Sequence, residues 1–160
     1  MKSHLIIAAL SLCALSLSAR AAGDPQVGDW KLDVAQSKYV TGTPPQSAEV
    51  TVAPSGKDGV SVMVHTMNPK GEMVMFQYAA QYDGKPYPRV ETGPGAIPGQ
   101  MVTLKRLNDR TVERVAWLNG KAVGTETWTI SADGKTRIVK QSGNDAQGKP
   151  IDNTLHYVRK

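Results

Sequence analysis

Met63, His65, Met67, Met73 and Met75 are the residues of this chain best suited to hold a metal. Four thioethers and one imidazole alternate along two β-prone runs that flank Asn68-Pro69-Lys70-Gly71. Thioethers select Cu(I), and imidazole also binds copper. The other reading of such a face is a flexible, adhesive surface for a protein partner. Glu113, Glu126 and Lys140 form a second constellation. If they share a row inside a fold, the two carboxylates carry shifted pKa values suited to acid–base work or polar ligand binding. On an outer face, Lys140 simply neutralises Glu126. Further chemistry is sparse. After residue 21 the histidines are His65 and His156, and no nucleophile elbow, P-loop, dinucleotide fingerprint or H-E-x-x-H motif occurs. No residue is assigned a catalytic role, and copper is the one cofactor with a case.

These residues must be positioned by strands. Turn signals recur at Ser55 to Gly59, Asn68 to Gly71, Asp83-Gly84, Asn108-Asp109, Asn119-Gly120, Asp133-Gly134 and Asn144 to Pro150. Between them lie runs rich in β-branched and aromatic residues. The expected strands are Val27–Asp33, Ser47–Ala53, Val60–Met67, Met73–Tyr82, Met101–Leu107, Thr111–Leu118, Lys121–Ile130, Lys135–Gly143 and Asn153–Arg159. Val34 to Lys38 has the composition of a helical turn. Short loops force each strand beside the last, so the expected fold is an all-β, antiparallel up-and-down meander of eight or nine strands closing into a barrel. Glu91 to Gln100, with its glycines and prolines, reads as a loop at one end of that barrel.

The turns also predict registers. A type I turn at Asn68 to Gly71, with Gly71 in a G1 bulge, pairs Met67 with Met73 and His65 with Met75. One face of that hairpin then carries Val60, Val62, Val64, Val74, Phe76, Tyr78 and Tyr82, and the five metal-ligating candidates share the other. A type I′ turn at Asn119-Gly120 pairs Leu118 with Lys121, Trp117 with Ala122 and Glu113 with Glu126. A three-residue loop at Ala132 to Gly134 pairs Trp128 with Ile138 and Glu126 with Lys140. Val115, Trp117, Trp128, Ile130 and Ile138 then form a core face. A slip of one residue would reverse each of these faces.

Residues 1–21 read as a secretory signal peptide. Lys2 supplies the positive start, Leu5 to Leu17 the apolar run, and Ala19-Arg20-Ala21 the cleavage site. The run is too short to span a bilayer, which takes about 20 apolar residues. Residues 22–160 form the expected single domain, periplasmic or secreted. Cys13, the only cysteine of the chain, leaves with the signal peptide, so no disulfide or thiolate chemistry is expected of the domain. The formal charge of the whole chain is +5, but Lys and Arg are scattered rather than clustered. That argues against a nucleic-acid partner.

Gly28-Asp29-Trp30, a G-x-W at the start of an all-β exported chain, resembles the opening of the lipocalins and related calycin barrels. The stretches Gly28 to Asp33, Ser37-Lys38-Tyr39, Tyr82 to Pro88 and Leu107 to Val112 are similar to small exported bacterial proteins of lipocalin-like type. The resemblance implies that Trp30 plugs one end of the barrel and that a basic residue of the last strand, here Arg159, packs across it. It also implies a lumen that can hold a small apolar molecule. The expected liners are Val62, Val64, Phe76, Tyr78, Trp117, Trp128 and Leu155, unless these fill a solid core. The alternative function is an envelope protein-interaction or protease-inhibitor module, probing with the Val90 to Gln100 loop. An enzyme using Glu113 and Glu126 ranks last.

Overall fold

The computed structural model describes residues 23–144 and 148–160. The expected signal peptide and the centre of the Asn144 to Pro150 turn lie outside the described residues. Nine long strands form: β1 (Gly28–Tyr39), β2 (Ser47–Pro54), β3 (Gly59–Met67), β4 (Met73–Gln81), β7 (Gln100–Asn108), β8 (Thr111–Leu118), β9 (Lys121–Ile130), β10 (Thr136–Asn144) and β11 (Pro150–Arg159). Two short strands, β5 (Tyr87–Pro88) and β6 (Val90–Thr92), lie between β4 and β7.

All eleven belong to one antiparallel sheet in the order β5-β7-β8-β9-β10-β11-β1-β2-β3-β4-β6. The fold is therefore an all-β meander curled into a nearly closed barrel. Its two sheet edges meet where β4 approaches β5 and β7 without a continuous ladder. Residues 87–92 strap that seam, because β5 pairs with β7 while β6 pairs with β4.

Alternation sets which side chains enter the barrel. Val60, Val62, Val64, Tyr78 and Ala80 are buried from β3 and β4. Val102, Leu104, Val112, Trp128, Ile130, Val139, Leu155 and Tyr157 complete most of the far wall. The β3–β4 turn has the predicted register, with Met67 opposite Met73 and His65 opposite Met75. Gly71 takes a φ of +79°, as the G1 bulge requires, and its N–H donates to the Asn68 carbonyl at 3.0 Å.

Two other registers differ from expectation by one residue. At Asn119-Gly120 the type I′ turn forms, with both residues at positive φ, and Trp117 does pair with Ala122. The next pair is Ala116 with Gly124, so Val123 is an extra residue that bulges from β9. Beyond it Glu126 faces Arg114, and Glu113 faces Thr127. Between β9 and β10, Ser131 rather than Ala132 closes the loop: its N–H donates to the Thr136 carbonyl at 3.0 Å. The loop therefore has four residues, and Trp128 pairs with Val139 instead of Ile138. The expected row of Glu113, Glu126 and Lys140 is broken, because Lys140 pairs with Thr127 and Gln141 with Glu126.

Val34 to Lys38 does not leave the sheet. Strand β1 continues through it, but Val34, Ala35, Gln36 and Ser37 together oppose Leu155 alone. Asp33 organises this irregularity. Its Oδ1 accepts the Gln36 N–H at 3.1 Å, and its carbonyl accepts the Ser37 hydroxyl at 2.6 Å.

Candidate functional site

One end of the barrel is plugged. Trp30 is fully buried, and its indole N–H donates to the Gln26 carbonyl at 3.1 Å. The Arg159 guanidinium lies 4.1 Å from the Trp30 ring centroid. It also donates to the carbonyls of Val27 (2.7 Å), Pro25 (3.0 Å) and Gly134 (2.7 Å). The positive φ of Gly28 and the lack of a side chain there are what let this guanidinium lie flat. A Cβ at residue 28 would collide with it. Beside the plug, Asp24 accepts hydrogen bonds from the Tyr82 hydroxyl (2.6 Å) and Arg106 (2.9 Å). A hollow of about 900 Å³ lies outside this end. Its Arg106 is already paired with Asp24 at 2.9 Å and lies 3.9 Å from Asp58.

Toward the other end the interior opens into a cavity of about 430 Å³. One wall is aliphatic and aromatic: Ala48, Val50, Val62, Val64 and Phe76 from β2, β3 and β4. The opposite wall carries the charged side chains Arg114, Glu126 and Arg137 and the amide of Gln141, from β8, β9 and β10. Arg89, from the strap across the seam, lies 4.0 Å above the Phe76 ring and faces both walls. A second cavity of about 250 Å³ shares Arg89, Arg114, Glu126 and Gln141 and reaches Ile97 and Leu118 at the rim.

Glu126 is saturated. Its Oε2 accepts from Arg114 Nε at 3.0 Å and from Trp128 Nε1 at 2.9 Å. Its Oε1 accepts from Gln141 at 2.9 Å and lies 2.7 Å from Arg114 Nη2. Burial alone would raise its pKa, but Arg114 and these hydrogen bonds outweigh that and bring it down to about 2. Glu126 is thus a fixed anion that neutralises and orients Arg114, and it is unsuited to general acid chemistry near neutral pH. The Glu113–Glu126 pairing that the turn predicts does not form, because the Val123 bulge puts the two on opposite faces of the wall.

Arg89 is neutralised in the same way. It pairs with Glu91 at 2.9 Å and hydrogen-bonds Gln100. Glu91 in turn accepts from Gln100 at 2.7 Å and from the Ile97 N–H at 3.5 Å. The Val90 to Gln100 loop is therefore tied to the barrel rim by its own side chains.

Arg137 has no such partner. It is 3% exposed and stacks on Trp128, 4.3 Å from the ring centroid, with Trp30 and Tyr157 at 5.9 and 6.0 Å. Among the described residues it makes no ion pair, and its Nε and Nη1 are buried without a hydrogen-bond acceptor. Burial pulls its pKa below that of an ordinary arginine. Arg114 Nη1, Arg89 Nε and the hydroxyls of Tyr39 and Tyr78 are also buried and unpartnered. Burial raises the Tyr78 phenol, with the Glu126 charge adding to the rise, so it remains a proton donor. Among the described residues, three cations (Arg89, Arg114 and Arg137) thus face two carboxylates (Glu91 and Glu126) across this interior.

Of the expected liners, Val62, Val64, Phe76, Trp128 and Leu155 do line the larger cavity. Tyr78 is buried beside them, stacked on Phe76 with ring centroids 6.5 Å apart. Trp117 is on the outer face instead, where its indole N–H donates to Thr103 Oγ1 at 3.3 Å. The bulge at Val123 explains this: Trp117 and Trp128 fall on one face only if the ladder runs unbroken. Met63, His65, Met67, Met73 and Met75 share the outer face of the β3–β4 hairpin. Sequence reasoning missed Arg89, Arg114 and Arg137. Arginine between strand residues reads as surface, and Thr111 to Leu118 has apolar residues on both alternating sets. No protein-family model matches this chain, and a search of curated proteins found no match to it.

Proposed function

We propose that this is a lipocalin-like binding protein, exported by way of residues 1–21, that holds a small amphipathic organic anion inside its barrel. The observation that carries this reading is Arg137, a buried guanidinium without a counter-charge among the described residues, in the wall of a 430 Å³ cavity. A buried charge is tolerated when paired, and removing its partner is costly. A ligand carboxylate supplies that partner, with the Tyr39 hydroxyl as a further unpartnered donor lining the same cavity. An apolar tail runs along Val50, Val62, Val64 and Phe76. The cavity volume lies within the range of small-molecule sites. The Arg159 guanidinium over Trp30 supports the lipocalin-like part of the reading.

Dodecanoate and dodecanol separate head from tail. Titrated against the purified protein, dodecanoate binds in the micromolar range or tighter, and dodecanol binds at least about tenfold more weakly. Arg137→Met removes charge-assisted hydrogen bonds worth about 1.5–3 kcal/mol each, so it weakens dodecanoate about 100-fold and dodecanol little. Equal affinity for acid and alcohol, or an unchanged dodecanoate affinity in Arg137→Met, refutes the proposal.

A further inference from the structure

We propose that the outer face of the β3–β4 hairpin is a Cu(I) site made by Met63, His65, Met67, Met73 and Met75. The ladder fixes their arrangement. His65 faces Met75 and Met67 faces Met73 directly across the strands, while Met63 is two residues along β3 from His65. Opposed side chains of this kind have Cβ atoms about 5 Å apart. Residues i and i+2 on one strand lie about 7 Å apart. His65 is thus ringed by thioethers on three sides, and the three rotatable bonds of each methionine let the sulfurs converge on one ion.

The platform is rigid. Strand β2 backs β3, with Glu49 opposite His65, and β6 backs β4, with Thr92 opposite Met75. The donors are also free. Among the described residues the His65 imidazole makes no hydrogen bond or ion pair, and the carboxylate of Glu49, its cross-strand neighbour, is held by Lys160 at 2.7 Å. Met63, Met73 and Met75 are each 40–46% exposed, an unusual expense of apolar surface for a strand pair whose inner face is so well buried. Residue type decides the metal. Among the described residues no group of three or more His, Cys, Asp or Glu comes together, so the oxygen, thiolate and multi-histidine sets that hold zinc, calcium or magnesium are not available. A set of thioethers with one imidazole fits a soft monovalent ion.

The site is on the outside of the barrel and is independent of the interior anion reading. The test is the full chain labelled with ¹³C at the methionine methyl groups and titrated anaerobically with Cu(I), with Ag(I) as a second soft probe. Methyl signals of Met63, Met67, Met73 and Met75 shift and saturate near one equivalent, and that of Met101 does not move. Zn(II) leaves all of them in place. In competition with a chromogenic Cu(I) chelator, Met63→Leu with Met75→Leu weakens binding about tenfold or more, with His65→Asn similar. Leu replaces Met with nearly conserved volume, so the thermal midpoint of the double variant stays close to that of the parent. Absent methyl shifts at one equivalent, equal shifts with Zn(II), or parental affinity in the double variant each overturn the proposal. The labelled parent protein decides the matter even if a variant fails to fold.

Discussion

Glu126→Gln tests the central electrostatic argument about the barrel interior. The substitution keeps size and shape but removes the carboxylate charge paired with Arg114. Four donors converge on the carboxylate: two from Arg114 and one each from Trp128 and Gln141. The amide oxygen of glutamine can accept some of these, but its NH₂ group must then face donors. Breaking a buried ion pair by removing one member costs about 3–5 kcal/mol. The pKa gives an independent figure. A shift from 4.5 to about 2 corresponds to about 3 kcal/mol of stability at neutral pH. The two agree on a loss of about 3–5 kcal/mol, or about 10–15 °C in the thermal midpoint. The sign with pH is set by a folded-state pKa below the unfolded one. The contribution is complete above about pH 4.5 and disappears as pH falls toward about 2. Urea unfolding of parent and variant should therefore show a gap that is full at pH 7 and closes through that acid window. Arg114→Met alone is destabilising, and combined with Glu126→Gln it costs less than the two added together, because the stranded partner is gone. A gap under about 1 kcal/mol at pH 7, or strictly additive effects in the double variant, would refute the reasoning.

The same geometry leads to two further outcomes. Arg159→Met removes a cation–π contact and three hydrogen bonds to carbonyls at the plugged end, and should cost about 2–4 kcal/mol by urea unfolding. Arg159→Lys should restore only a minor part, since an ammonium cannot reach all three carbonyls while lying flat on Trp30. A stability change below about 0.5 kcal/mol in Arg159→Met would show that the plug does not depend on it. Tryptophan fluorescence separates the two faces: dodecanoate should perturb the emission of Trp128 in the cavity wall and leave that of Trp117 outside. Trp128→Phe then removes most of the response, leaving at most that of Trp30 near Arg137, and Trp117→Phe preserves it; the reverse pattern would contradict the assigned faces.

The nine long strands and most of their limits are legible in the sequence because hairpin turns need particular residues. Asn68 to Gly71 specifies its register fully: proline sets one torsion and Gly71 supplies the positive φ. Asn119-Gly120 specifies its own turn equally well, but not the ladder beyond Ala122. A bulge at Val123 needs no glycine, and valine fits a regular strand just as well, so nothing in the residue types marks it. The loop after Ile130 is ambiguous for a related reason. Ala132-Asp133-Gly134 has the chemistry of a three-residue loop, and the addition of Lys135 leaves no signature. Each slip is a single residue, yet each reverses a face. That is why the hairpin bearing the methionines is legible from its turn, whereas the inward pairing of Arg114, across the ladder from the bulged β9, and of Arg137, beyond the longer loop, is not.

Among the nine long strands, every neighbour around the wall is also a neighbour in sequence except β1 and β11, whose ladder joins Trp30 to Arg159. The remaining ladders build two local meanders, β1 to β4 and β7 to β11, and the entropic cost of bringing distant chain together falls on this one junction. The cavity lies between the halves. Its apolar wall comes from β2 to β4 and its charged wall from β8 to β10. Neither half presents the site alone. A ligand bridging the two walls therefore binds only the joined ring, and by mass action it stabilises the one ladder that local pairing does not provide.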